Sequence, residues 1–346
     1  MFTTCVLLLI LAMTAIPVFA GGNARRPAII NAADRVVDLQ RTDQDWDGTW
    51  YWYVGSNYDA TNLTGITALG LLEAYNDTKD AAYLDAALDA ANFISTHLGE
   101  GATGVQYHPR LTAPDIVFLH NLSSLTGDPV YSTRASTEWE NIKLTYPTAG
   151  DLDALFKSIN RRSSWDIAFF LEAAYLSEDA TWADDAAAIL ADTDDDFYYG
   201  DTWWYALNVA GAIRALVNCG YADMHYDSLI ILINELINLV DKDNGIDGWV
   251  QDTAYAIIAF SAVGGSAHKY ANDLGRWLSN QQQDSGGWLD GGDEYPEVDG
   301  EALRALASTI ATDVTIDGFA YGTSENMDSS WVKSINAKEV TPFLGE

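Results

Sequence analysis

Gln282-Gln283-Asp284-Ser285-Gly286-Gly287-Trp288 and, near the other end of the chain, Gln44-Asp45-Trp46-Asp47-Gly48-Thr49-Trp50 are copies of one pattern: glutamine, a short run, glycine, one further residue, tryptophan. A third stretch, Asp243-Asn244-Gly245-Ile246-Asp247-Gly248-Trp249, keeps the Asp-Gly-Trp end without the glutamine. Each part has a physical task. A glutamine at the end of a helix can tie down loop amides, glycine permits positive φ in the turn, and the indole plugs the gap to the next helix. The copies therefore read as staples between helical hairpins, and they point to a repeat.

Helical periodicity dominates the sequence around them, with short Gly/Asp/Pro-rich connections. Twelve helices are expected, over 28–41, 59–76, 79–98, 111–126, 129–143, 161–177, 179–192, 201–219, 222–241, 249–264, 266–282 and 297–312. Ala81–Ala87 and Trp182–Ala188 carry polar residues on one side and read as outer helices. Ile66–Leu72, Ile167–Leu171, Val209–Ile213 and Ala254–Phe260 are apolar nearly all round and read as inner ones. Asn62, Asp115, Asp166, Asp201, Asp252 and Asp299 open the inner helices as expected N-caps or first-turn acids. Such a hairpin cannot bury its apolar face alone, so neighbours must stack. Neither terminal hairpin has a polar cap, so the expected fold is all-α: six hairpins closed into an (α/α)6 toroid over 21–312, followed by an irregular tail over 313–346.

On these repeats the chain resembles the squalene-cyclase and protein-prenyltransferase superfamily, whose Gln-Trp repeats join the hairpins of α/α toroids. The resemblance implies the fold. Class II terpene cyclases protonate an alkene with the middle acid of Asp-x-Asp-Asp-Thr-Ala. The nearest match is Trp249-Val250-Gln251-Asp252-Thr253-Ala254, with Gln251 where the proton donor belongs. The zinc site of the prenyltransferases needs Asp, Cys and His, and beyond the N-terminal segment the sequence has only Cys219. The family fold is thus expected without the family chemistry, and without a metal or cofactor.

The first twenty residues hold an apolar run, Val6–Met13, and a small-x-small site, Val18-Phe19-Ala20, which read as a signal peptide and an exported protein. With Cys5 in that leader, no internal disulfide is expected. Fifty acidic residues against eighteen basic ones give a formal charge of −32, which argues against a nucleic-acid partner. The expected partner is a small-molecule or glycan ligand.

Candidate site residues gather in the turns that open inner helices. Tyr107, His108 and Arg110 supply what β-elimination of a uronate polysaccharide requires, a cation for the carboxylate and groups to shuttle protons. Arg161 and Arg162, before Trp165, are paired cations suited to an anionic ligand or to offsetting nearby aspartates. Trp50, Trp52, Trp203, Trp204 and Tyr255 are aromatic candidates for walls that suit sugar rings or an isoprenoid. Asp166, Asp201, Asp252, Asp299 and Glu301 offer carboxylate pairs for glycoside hydrolysis, with Asp252 the candidate acid. The loop Asp241–Asp247 has calcium-like acids but lacks a downstream bidentate glutamate. Two readings follow. The first is a cyclase-like toroid that binds a ligand in its central cavity without terpene-cyclase chemistry; the alternative is a polysaccharide lyase or glycoside hydrolase working in the aromatic-lined mouth.

Overall fold

A computed structural model describes residues 21–58, 63–97, 109–158, 164–193, 205–241 and 243–310. The leader and the tail expected at the two ends lie outside these residues. Thirteen α-helices are present among the described residues: α1 (Gly21–Leu39), α2 (Thr64–Thr78), α3 (Ala81–His97), α4 (Pro109–Thr126), α5 (Pro129–Thr145), α6 (Ala149–Ser158), α7 (Ser164–Leu176), α8 (Ala180–Ala191), α9 (Tyr205–Asn218), α10 (Tyr226–Leu239), α11 (Val250–Val263), α12 (His268–Gln281) and α13 (Pro296–Ile310). Twelve fall on the expected spans. The thirteenth, α6, carries a capping box: the Thr148 hydroxyl accepts the Asp151 N–H, and Asp151 accepts the Thr148 N–H at 3.1 Å. Its Leu152 and Phe156, one turn apart, are fully buried.

Six helices form an inner ring in the order α2, α4, α7, α9, α11, α13, and α13 packs back onto α2. The ring is therefore closed, as expected. Each inner helix carries an outer one: α3 on α2, α5 on α4, α8 on α7, α10 on α9 and α12 on α11. The last inner helix, α13, has no helix after it among the described residues and is covered by α1 from the other end of the chain. Long-range bonds seal this seam. Arg35 pairs with Glu294 at 2.6 Å, Arg25 donates to the Asn272 side chain at 2.8 Å, and Gln282 donates to the Ala28 carbonyl at 2.9 Å. At the seam a β-carbon on Gly70 would collide with the Gly300 carbonyl, so the two glycines let α2 and α13 touch along their backbones.

All inner helices run the same way, and the two faces of the ring differ. On one face the connections after inner helices are tight, through Lys79, Gly127, Glu178, Gly220 and Gly264, all at positive φ. Asp128 and Asp179 then cap the outer helices by accepting from Val130 and Trp182. On the other face, the mouth, the described segments over 40–58, 243–249 and 282–295 lead toward α2, α11 and α13.

Two of those segments are the staples. Gln282 Nε2 donates to the carbonyls of Gly286 and Ala28, and the buried Trp288 indole donates to Leu278 O at 2.8 Å. In the first copy the glutamine is Gln40 rather than Gln44: Gln40 Nε2 donates to Gly48 O and Ala86 O, while Gln44 is exposed. The Trp50 indole donates to Val36 O at 2.8 Å. Trp50 is wholly buried, so it serves packing and not the cleft wall expected of it.

Candidate active site

The expected first-turn acids belong to a shared scheme. Four backbone N–H groups at each helix start lack intrahelical partners. In this ring the next inner helix supplies acceptors for some of them. Asp115 of α4 accepts the Gly65 N–H of α2 at 2.9 Å, and Asn208 of α9 accepts the Trp165 N–H of α7 at 3.1 Å. The Leu207 amide of α9 likewise favours the charged form of Asp252 on α11. Asp299 accepts the Trp288 N–H at 2.7 Å within its own corner. Asp115 lies two turns into α4, so its expected place at the helix start is corrected. Burial holds both the Asp115 and Asp299 carboxyls well above the usual range.

Asp252 stands apart from these structural acids. It lies in the first turn of α11 at the mouth, half-buried, with Oδ1 lacking a hydrogen-bond partner. Burial, then the charges of Asp290 and Asp247, push its carboxyl up to about 7. Asp290 sits on the adjoining α12–α13 segment and accepts the Val250 N–H at 2.8 Å. Burial raises its carboxyl too, while the Val250 and Gln251 amides favour its ionised form. The site therefore holds two unlike carboxyls, one retaining its proton near neutrality and one fixed as an acceptor.

Below Asp252 the axis is filled from several helices. Trp165 of α7 meets Tyr255 of α11 edge-on at 6.0 Å, a contact between non-adjacent inner helices that can only cross the interior of the ring. Tyr255 donates to Glu301 Oε1 at 2.7 Å and Gln251 donates to Oε2 at 2.9 Å. Glu301, expected at the rim, is thus a buried bridge between α11 and α13, and burial together with the Glu297 charge keeps its carboxyl well above the usual range. Deeper still, Arg214 pairs with Glu172 at 2.9 Å and stacks over the Phe169 ring at 4.2 Å.

Of the other sequence candidates, Tyr107, His108, Arg161, Arg162, Trp203 and Trp204 lie outside the described residues, as does Asp201. Arg110 falls in the first turn of α4, with its side chain outside the description. Trp52 is half-buried and packs edge-on against Tyr295 at 6.4 Å. Tyr295 also meets Tyr53, which is 39% exposed. Sequence reasoning missed Asp290 and Arg214 as site residues, one hidden among many loop acids and the other within an apolar helix. Among the described residues, no group of three or more His, Cys, Asp or Glu is placed to hold a metal ion, and no helix is long and apolar enough to cross a membrane.

No family model matches the sequence, and no curated protein matches it. Solved structures do. An α-1,6-mannanase from Salegentibacter sp. is similar with a TM-score of 0.58 at 14% identity, over 83% of this chain and 99% of that one. An unsaturated glucuronyl hydrolase specific for heparin gives 0.59 at 12% identity, over 83% and 97%. The type II terpene cyclase MstE from Scytonema gives 0.54 at 12% identity, over 84% and 99%. At these identities the likeness establishes the toroid fold, and it joins glycoside hydrolases to a cyclase on one scaffold.

Proposed function

We propose that the protein is an exported glycoside hydrolase that cleaves a glycan in the mouth of the barrel, with Asp252 as general acid and Asp290 as general base. The observation that carries this reading is the unlike carboxyl pair: Asp252 with an unpartnered oxygen and its proton held to about 7, beside Asp290 fixed by a backbone N–H. The Asp252 proton passes to the glycosidic oxygen as the bond to the anomeric carbon breaks. Water adds to that carbon and gives its proton to Asp290. Glycan hydrolases among the similar structures support this alternative over the non-catalytic, cavity-binding toroid.

The test is release of reducing ends from neutral and acidic polysaccharides, with unsaturated-uronate absorbance followed in parallel. Asp252→Asn should lower turnover by roughly 100-fold or more without lowering Tm. The wild-type rate should fall as pH rises through about 7, because the acid must be protonated. Unchanged turnover in the Asn variant removes Asp252 from the mechanism, unsaturated products identify a lyase, and silence of the folded protein across the panel returns the cavity-binding reading.

A further inference from the structure

Aromatic rings from three corners meet at one turn of the mouth. Asp290 and Asp293 close that turn by exchanging backbone bonds, the Asp290 N–H donating to Asp293 O at 2.8 Å and the Asp293 N–H to Asp290 O at 3.3 Å. A β-carbon on Gly291 would lie 3.1 Å from Trp249 Cζ3, so the indole of the α11 corner rests against the turn. Tyr295, two residues past it, is met by Trp52 and Tyr53 of the α2 corner, with ring centroids 6.4 and 6.2 Å away and planes inclined at 84° and 64°. The Val54 N–H donates to Glu294 O at 2.9 Å and holds these two segments side by side.

These rings reach solvent, unlike the staple indoles. Trp50 and Trp288 are sealed, whereas Tyr53 is exposed and Trp52, Trp249 and Tyr295 are half-buried. Neither Tyr295 contact is a parallel stack, so the rings do not cover one another. Tyr58 and Leu289, on the same two segments, are exposed as well, and contiguous apolar surface of this kind marks a binding site more often than scattered residues do. The cluster borders the acid pair. Trp249 directly precedes the Val250 N–H that Asp290 accepts, and it stands three residues before Asp252. Burial, then the charges of Asp293 and Asp290, raises the Tyr295 hydroxyl above its ordinary value, which sets that ring beside the same carboxylates. Over 40–58, 243–249 and 282–295 the sequence has nine acidic residues and one basic residue, Arg41. Asp43 holds the Arg41 guanidinium at 2.6 and 2.7 Å, and Glu294 holds that of Arg35 at 2.6 and 3.0 Å.

From this geometry we infer that Tyr53, Tyr295 and Trp249 form an aromatic platform around the Asp290 turn, which seats a pyranose ring of an uncharged glycan beside the acid pair. The inference rests on the glycoside-hydrolase reading for its ligand class, and it adds the charge of the substrate and the residues that hold it. A half-exposed ring packs against the C–H face of a sugar and leaves the sugar hydroxyls in water, so an open surface suffices. Those hydroxyls can donate to carboxylates such as Asp293, which only accept. A uronate would instead bring its own carboxylate up to Asp290, Asp293 and Asp247, while Arg41 and Arg35 are already committed to Asp43 and Glu294. Like charges at such a surface repel, which selects against the anionic sugar.

Binding of mannotetraose, cellotetraose, xylotetraose and tetragalacturonate to the full-length protein should be measured by calorimetry, with turnover followed separately. At least one uncharged tetrasaccharide should bind, and more tightly than the uronate. Tyr53→Ala and Trp249→Ala should each weaken that binding roughly three- to tenfold and keep a cooperative melt, whereas Tyr53→Phe, which retains the ring, should bind within about twofold of the parent. Weakened binding in Tyr53→Ala together with turnover that survives Asp252→Asn keeps the platform and strikes the acid. Turnover lost in Asp252→Asn together with undiminished binding in both ring variants keeps the acid and strikes the platform. Tighter binding of the uronate, an equal loss in Tyr53→Phe, a Tyr53→Ala variant that changes oligomeric state on gel filtration with its affinity intact, or no binding of any tetrasaccharide by the folded protein overturns the inference.

Discussion

The corners that lead into α2 and α13 and the corner that leads into α11 begin from related sequence and end in different chemistry. In the first two a glutamine ties the loop and an indole bonds a preceding helical carbonyl, with Trp50 and Trp288 fully buried. The corner before α11 has no such glutamine. It closes as a short hairpin pairing Val240 with Ile246, and Trp249 remains half-exposed. The polar groups follow suit. Asp299 is sealed from solvent with one oxygen on the Trp288 amide, whereas Asp252 stays half-buried at the mouth with its carboxyl pushed up to about 7. Stapling and chemistry thus occupy different corners, because a carboxyl sealed from solvent cannot hand its proton to a ligand.

The largest test of this contrast is the tryptophans. Trp288→Ala should lower stability by about 3–5 kcal/mol in denaturant unfolding, and Trp249→Ala by under about 1 kcal/mol, since only the first leaves a sealed cavity. Equal losses would erase the distinction. A β-carbon on Gly286 would strike the Asn31 carbonyl at a φ of 96°, whereas on Gly248 it would meet only the Asn244 side chain. Gly286→Ala should therefore cost about 2–3 kcal/mol, more than Gly248→Ala, compared by chemical denaturation. Among the glutamines, Gln40→Ala should cost about 1–2 kcal/mol and Gln44→Ala less than about 0.5 kcal/mol, which thermal melts would resolve. A larger loss at Gln44 would return the staple to the glutamine that spacing suggested.

The smallest effect is a pH slope. Asp252, Asp115, Asp299 and Glu301 all have raised carboxyls, so the folded protein holds protons where the unfolded chain has released them. That contribution is greatest below the unfolded carboxylate range and declines as pH climbs. Tm should rise on acidification from pH 8 to pH 5, and Asp252→Asn should flatten the part of the slope that ends near pH 7. A Tm that falls over that interval would contradict the assignment.

The ring was legible because its signals are local. Apolar runs marked inner helices, one-sided stretches marked outer ones, and the repeated Gly-x-Trp marked corners. The helix α6 was also signalled, by Thr148 and Asp151 at capping-box spacing, but a short helix with two apolar anchors gives little periodicity. The site was less legible. Trp50 and Trp52 are near neighbours in sequence, yet one is a sealed staple and the other packs half-buried beside Tyr295. In a chain with fifty acidic residues, only the Asp252-Thr253-Ala254 match singled out Asp252, and its partner Asp290 carried no signal at all.

By itself the sequence determined an all-helical chain of repeating hairpins, its strong negative charge and the places of its corners, since these follow from side-chain periodicity and turn chemistry read a few residues at a time. Only the tertiary structure decided that α1 covers α13 to close the ring, which acid keeps its proton, and that Arg214 and Glu172 meet in the interior. Those outcomes depend on burial and on partners far away along the chain, and both come into being only when the ring closes.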